Sequence, residues 1–163
     1  MLRLGIISDT HLPRGDRQLP ARCRAELDGA DLILHAGDIA TLAVLRAVER
    51  YGAVVAVAGN VDDEEVRAVL PSERVVEAGG ARIGLVHDAG PAKGRLARMR
   101  RRFGETDAVV FGHSHIPLLE ADADGFQIFN PGSPTDRRRQ PRRTMGLARV
   151  EAGRVAFELL ALD

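Results

Sequence analysis

Short apolar runs, each closed by a polar or glycine-rich stretch, recur along this 163-residue chain, and their lengths decide what they predict. Leu2 to Ser8, Asp31 to His35, Val54 to Ala58, Ile83 to Val86 and Asp107 to Phe111 are too short for helices. They are rich in β-branched residues, so each reads as a buried strand, the third ending at Gly59-Asn60. After the first strand, Leu12-Pro13-Arg14-Gly15-Asp16 reads as a loop. A helix is then expected from Pro20 to about Gly29, with proline at its first position and glycine at its end. A second follows Thr41 as N-cap and runs through Arg50, with Leu42, Leu45 and Val48 as its apolar positions and Gly52 as its stop. Asp62-Asp63-Glu64-Glu65 places acids at the start of a short helix ending near Leu70, where the helix dipole favours them.

The pattern changes in the second half. Arg74 to Ala78 and Arg82 to His87 flank Gly79-Gly80 and predict a hairpin. Ala92 to Phe103 is the last expected helix. Leu118 to Ala121, Phe126 to Phe129, Thr144 to Val150 and Arg154 to Leu160 all read as strands, with turns at Asp124-Gly125 and Ala152-Gly153. Parallel units first and hairpins last imply two facing sheets. Helices would cover their outer faces, because the early strands are apolar on both sides, giving an α/β chain in four α-β-β-α layers. The length suits one domain over 1–163.

Composition narrows the chemistry. Lys plus Arg equals Asp plus Glu, 23 each, so no overall field draws the chain to nucleic acid or to an anionic membrane. Cys23 is the sole cysteine, which rules out an internal disulfide and a thiolate zinc cluster. Any metal must use His, Asp and Asn. No apolar run reaches about 18 residues and Met1 leads directly into a strand, so a cytoplasmic protein with no membrane partner is expected.

Gly112-His113-Ser114-His115 follows the Asp107 to Phe111 run. In extended backbone, residues two apart point to one side, so both rings are expected to reach one space. An isolated H-x-H is best read as a polar turn, but four other stretches accompany this one. Asp9 and His11, Asp38, Asn60 and His87 each follow a predicted strand. Seven metal-capable side chains thus fall at the ends of five strands, where sites collect in sheets flanked by helices. A pair of divalent ions needs a bridging anion, neutral imidazoles and open positions for water and substrate. Water held there ionises near neutral pH, a chemistry suited to phosphate esters.

Asp9-x-His11, Gly37-Asp38, Gly59-Asn60-x-Asp62, His87 and Gly112-His113-x-His115 resemble the motifs of the calcineurin-like metallophosphoesterase superfamily, in the family's order across residues 8 to 133. The short chain, the non-histidine after Gly-Asn and the Asn130-Pro131-Gly132-Ser133 turn are similar to its small bacterial and archaeal phosphodiesterase branch. The resemblance implies a β-sandwich flanked by helices. It also implies that Asp9, His11 and His115 bind one metal, that Asn60, His87 and His113 bind another, and that Asp38 bridges the two. The activity implied is that of a phosphodiesterase, in which a bridging hydroxide attacks phosphorus with Asp38, His11 and Asn60 at the catalytic centre. Manganese is the expected metal, with iron, zinc or nickel also suited to these ligands. Two positions depart from family patterns. Val61 stands where many superfamily phosphatases carry a histidine that protonates the leaving oxygen, and Asp88 stands where the small branch often has glycine. The Asp88 carboxylate is expected to cap the helix from Ala92, ahead of binding substrate or recruiting a further cation.

The remaining candidates are weighed on their chemistry. His35 is expected to be a buried or supporting histidine, and Asp62 an orienter of the Asn60 loop. Ser133, with Gly132, is expected either to offer N–H groups to phosphate or simply to turn the chain. Arg98, Arg100, Arg101 and Arg102 read as a solvated helix face. Arg137 and Arg138, with Arg139, Arg142 and Arg143, follow the Asn-Pro-Gly-Ser turn and are expected on the substrate side. The expected partner is a small phosphodiester, and an oligomer is compatible with the sequence. Two other classes are a non-catalytic scaffold, since a retromer subunit has this fold, and a nuclease. The chain has five Phe and one Tyr, none clustered with those arginines, so there is no ordinary stacking platform for polynucleotide.

Overall fold

The computed structural model describes residues 1–12 and 18–163; beyond Leu12, the loop expected over 12–16 lies outside the described residues. The elements run β1 (Leu2–Ile7), α1 (Ala21–Asp28), β2 (Leu32–His35), α2 (Leu42–Glu49), β3 (Val54–Ala56), α3 (Glu64–Val69), β4 (Glu73–Ala78), β5 (Ala81–Val86), α4 (Arg95–Arg102), β6 (Ala108–Val110), β7 (Leu118–Ala121), β8 (Gln127–Asn130), β9 (Thr144–Glu151) and β10 (Arg154–Ala161). They form two five-stranded mixed sheets, ordered β10-β9-β1-β2-β3 and β4-β5-β6-β8-β7.

Alternation along the strands builds the layers. Leu4, Ile6, Leu34, Ile83, Leu85, Val110 and Phe129 share one buried cluster drawn from both sheets, which therefore face each other. The neighbouring residues Ile7 and Ile33 point the other way, into a cluster with Cys23 and Leu27 of α1 and Val48 of α2. Val86, Val109 and Ile128 do the same on the second sheet, against Met99 of α4 and Phe103. Each fully buried aliphatic side chain contributes about 1.5–3 kcal/mol, so both faces of each sheet favour this four-layer arrangement.

All four expected helices form, with shifted ends. Thr41 Oγ1 accepts from Val44 N at 3.3 Å and Asp63 Oδ1 from Val66 N at 2.9 Å, capping α2 and α3. Val44, Leu45 and Val48 are the buried residues of α2, whereas Leu42 is only half-buried. Pro20 is the N-cap of α1 rather than its first residue. The last helix begins at Arg95, three residues later than expected, because Gly94 has a left-handed φ of 73° that cannot continue a helix. Asp88 consequently caps nothing: its Oδ1 accepts from Gly90 N at 2.8 Å in a local turn.

Two further expectations are revised. Arg98 is not part of a solvated face, since its guanidinium is folded back to donate to the carbonyls of Ala89, Pro91 and Lys93. Arg100, Arg101 and Arg102 are exposed as expected, Arg100 lying over the Phe126 ring and Arg102 paired with Glu73. The β9-β10 hairpin, although last in the chain, adds to the first sheet: β9 runs antiparallel to β1, with Leu4 opposite Ala148. β1, β2 and β3 are mutually parallel, as are β5, β6 and β8, so the loops after β1, β2, β3, β5 and β6 gather at the carboxyl ends of the strands.

Candidate metal centre

Those loops bring all seven candidate side chains into one contiguous cluster. His11 Nε2 and His115 Nε2 lie 3.2 Å apart, and Asp9 Oδ1 lies 3.5 Å from His115 Nε2 and 3.9 Å from His11 Nε2. On the other side, Asn60 Oδ1 lies 3.0 Å from His87 Nε2 and 3.1 Å from His113 Nδ1. Asp38 Oδ2 stands between the two groups, 3.5 Å from His11 Nε2 and 3.2 Å from His87 Nε2. Among the described residues, Asp9, His11 and His115, and likewise Asp9, Asp38 and His87, are grouped closely enough to hold a metal ion.

The backbone reaches this arrangement by strain. Asp9, His11, Asp38, His113 and His115 all have φ between 46° and 71°, a left-handed conformation that costs about 1–3 kcal/mol at each non-glycine residue. This overturns the extended-backbone reading of H-x-H: Gly112 to His115 lie outside any strand, and the two rings reach different groups. His113 meets Asn60 and His87, whereas His115 meets His11 and Asp9. The glycines before the motif residues make the close approach possible. A Cβ on Gly112 would lie 1.9 Å from Ser8 Oγ, and one on Gly59 would lie 2.1 Å from Asp38 Oδ1.

Hydrogen bonds fix which atoms face inward. Asp9 Oδ2 accepts from Ser8 Oγ at 2.7 Å and His113 N at 2.9 Å, while its Oδ1 is buried and accepts no hydrogen bond among the described residues. Burial raises this carboxyl to about 7, against the lowering effect of His87 and the Ser8 hydroxyl. Asp38 Oδ1 accepts from Val61 N at 3.0 Å, leaving Oδ2 for the histidines. Burial pushes the Asp38 carboxyl up, but hydrogen bonding and charge from His87, with the Val61 N–H and His11, hold it down at about 2. His87 Nδ1 donates to the Ala36 carbonyl at 2.7 Å and His115 Nδ1 to the Asp136 carbonyl, so each presents Nε2 to the cluster. Burial pushes His87 down, yet Asp38 and Asp9 raise it above the ordinary histidine range. Burial lowers His115 to about 4, the Asp136 carbonyl opposing and the Arg138 and His11 charges reinforcing it.

The supporting residues are as informative as the cluster. Asp62 accepts from Gly59 N at 2.6 Å, Ala40 N at 2.6 Å and Asp38 N at 3.2 Å, tying the Asp38 loop to the Asn60 loop. His35 is fully buried; its Nδ1 accepts from Gly37 N and its Nε2 faces Thr10 Oγ1, both at 3.2 Å. Ser133 is 1% exposed, and its hydroxyl donates to the Asp9 carbonyl while accepting from Asp136 N. Gly132 N donates to Asn130 Oδ1. Arg137 and Arg138 are exposed; Arg137 donates to the Gln140 carbonyl, and Arg138 is the cation near enough to His115 to lower it. Asn130 was read only as part of a turn. Fully buried, it donates through Nδ2 to Gly112 O and Ser114 Oγ, both at 3.1 Å, and so holds the H-x-H loop. Its only sequence signal was an amide at the end of an apolar strand.

The cluster fits divalent metal. An orphaned buried carboxylate oxygen and imidazole nitrogens facing oxygens are costly unless a proton or cation lies among them. Among the described residues, no helix is long and apolar enough to cross a membrane.

The family model described as the calcineurin-like phosphoesterase superfamily domain matches residues 2–153. A probable metallophosphoesterase of Methanothermobacter thermautotrophicus is 30% identical over 159 residues, covering 96% of this chain and 91% of its own. Vps29 of Entamoeba histolytica, solved in complex with Zn2+, superposes with a TM-score of 0.78 at 22% identity, over 99% of this chain and 100% of its own. A structure described as a novel archaeal phosphodiesterase does so with a TM-score of 0.73 at 22% identity, over 98% of this chain and 100% of its own.

Proposed function

Because the chain belongs to the calcineurin-like phosphoesterase superfamily, we propose that it is a phosphodiesterase working with two divalent metal ions, manganese first among them. The observation that carries this reading is the position of Asp38 Oδ2, within 3.5 Å of an imidazole of each group. Asp9, His11 and His115 would hold one ion, Asn60, His87 and His113 the other, and Asp38 would serve both. Bound ions there would polarise phosphoryl oxygens and bring the pKa of water from 15.7 to about 7.

The chain's own groups do the positioning. Donation from His87 Nδ1 to Ala36 and from His115 Nδ1 to Asp136 keeps both rings in the tautomer whose Nε2 lone pair faces the site. Asp62 fixes the two loops whose side chains must share Asp38 with Asn60. Arg138, exposed beside His115, suits a phosphate oxygen of the substrate, and Ser133 braces the Asp9 loop from behind. Val61 is half-exposed and offers no proton to a leaving oxygen, which favours esters whose leaving group departs unassisted.

The test is a panel of aryl and alkyl phosphate esters assayed on metal-loaded and chelated protein. Metal-dependent turnover of an aryl diester supports the proposal. Bound metal with no turnover of any ester would favour the scaffold, and activity confined to polynucleotide would favour the nuclease.

A further inference from the structure

A cleft of about 430 Å3 opens beside one half of the cluster, and Asn60 and His87 form part of its wall. Ala58, Leu70 and Val86 give it an apolar lining, while Arg67, Ser72, Asp88 and Arg102 add polar groups. Its size is that of a pocket for a small organic ligand, too large for a phosphoryl group alone. The two arginines are not loose. Arg67 donates through Nη2 to the Asn60 carbonyl at 2.7 Å, and Arg102 pairs through Nη2 with Glu73 at 2.6 Å. A guanidinium tethered at one edge can still present a flat face to an aromatic ring; Arg102 already turns one face to the Phe103 ring at 5.8 Å, which leaves its other face for the cleft. The His87 imidazole is the one aromatic ring among the lining residues, and its edge is turned to Asp38 and Asn60 in the cluster, so stacking in the cleft falls to arginine.

We infer that this cleft receives one organic arm of the phosphodiester, and that the arm is a flat aromatic group, an aryl ring or a nucleobase, lying against Arg67 and Arg102 over the Leu70 and Val86 floor. The inference rests on the phosphodiesterase reading above. It adds a substrate class to it: diesters with an aromatic arm are selected over dialkyl ones. The tether from Arg67 to the Asn60 carbonyl joins the aromatic subsite to the phosphate subsite through one residue.

Binding by calorimetry to manganese-loaded protein tests this without turnover, using inorganic phosphate, phenyl phosphate, adenosine 5′-monophosphate and ribose 5-phosphate as probes. Phenyl phosphate or the nucleotide should bind at least about tenfold more tightly than inorganic phosphate and ribose 5-phosphate, about 1.4 kcal/mol. Whichever aromatic probe gains more identifies the arm as simple aryl or nucleobase. Ser72→Trp, which fills the cleft, should erase that gain while leaving inorganic phosphate affinity unchanged, and Arg67→Met, which removes a stacking face, should erase the ratio of aromatic-probe to inorganic phosphate affinity. Wild-type protein that binds inorganic phosphate and both aromatic probes equally overturns the cleft assignment alone, as does a gain that survives both substitutions. Failure of metal-loaded protein to bind even inorganic phosphate overturns the phosphodiesterase reading with it.

Discussion

Asp38 Oδ2 lies 3.2 Å from His87 Nε2, and His87 has already committed its Nδ1 proton to the Ala36 carbonyl. A neutral His87 would turn a lone pair toward the Asp38 carboxylate, with Asn60 Oδ1 3.0 Å away on the other side, so without metal the contact holds a proton on Nε2, which raises His87 and lowers Asp38. Only a proton or a cation makes this contact favourable. Metal at the cluster removes that conflict in the native state and has no equivalent in the unfolded chain, so it should stabilise the fold. At a hundredfold excess over its dissociation constant, one ion adds about 2.7 kcal/mol, or about 5–11 °C in Tm for a chain of this length. Scanning fluorimetry of chelated protein, before and after restoring manganese, checks this; identical melting curves would refute it.

The pH dependence of stability should carry a signature of His35. Burial, helped by the charge of His87, lowers it to about 3, well below the ordinary histidine value. Between about pH 6.5 and 3 the unfolded chain binds a proton there that the native state does not, so this group's contribution is full above 6.5 and is lost as pH falls. In chelated protein, the unfolding free energy of His35→Asn should vary less steeply between pH 7 and 4.5 than that of wild type, by up to about 1.4 kcal/mol per pH unit. Asparagine can still accept from Gly37 N. Equal slopes would show that His35 is not held neutral.

The arginine loop should act on binding rather than on chemistry. Arg138 is felt at His115, whereas Arg137 is turned to the Gln140 carbonyl. Replacing Arg137, Arg138 and Arg139 together with Ser should raise KM and leave kcat nearly unchanged, because binding shared by ground and transition states affects the former. An unchanged KM for every substrate would assign the loop to solvent.

Val61 sets the ester preference. Its backbone N–H holds Asp38 Oδ1 at 3.0 Å, but its half-exposed side chain can protonate nothing. A monoester presents a dianionic phosphoryl group and needs help for its leaving alkoxide, and a positioned acid is worth about 10²–10⁴-fold in such a step. Turnover of an aryl diester should therefore exceed that of the matching monoester with the same metal. Val61→His should raise monoester turnover specifically. A wild-type enzyme that prefers the monoester would contradict this argument.

What the sequence made legible follows from chain order. Five apolar strands each run into a polar side chain, and parallel strands put those ends together, so the cluster at Asp9, His11, Asp38, Asn60, His87, His113 and His115 could be located before its geometry was known. The geometry itself was hidden. Left-handed backbone at His113 and His115 depends on loop contacts such as Asn130 to Gly112 O, which no local pattern encodes. Asp88 and Arg98 were misread for the same reason: their partners are carbonyls and N–H groups of a loop whose turn is set by Gly94 and Gly90. The return of β9 to β1 was equally invisible, since a hairpin's alternation does not say which sheet it extends.

The central claim is that one carboxylate serves two ions. Elemental analysis of wild-type and Asp38→Ala protein, each purified and equilibrated with manganese under the same conditions, tests it most directly, with His115→Ala as the comparison. The account predicts about two ions per chain in wild type, loss of both or nearly both from Asp38→Ala, and weakening of mainly one in His115→Ala. An Asp38→Ala protein that still carries two ions per chain would contradict it.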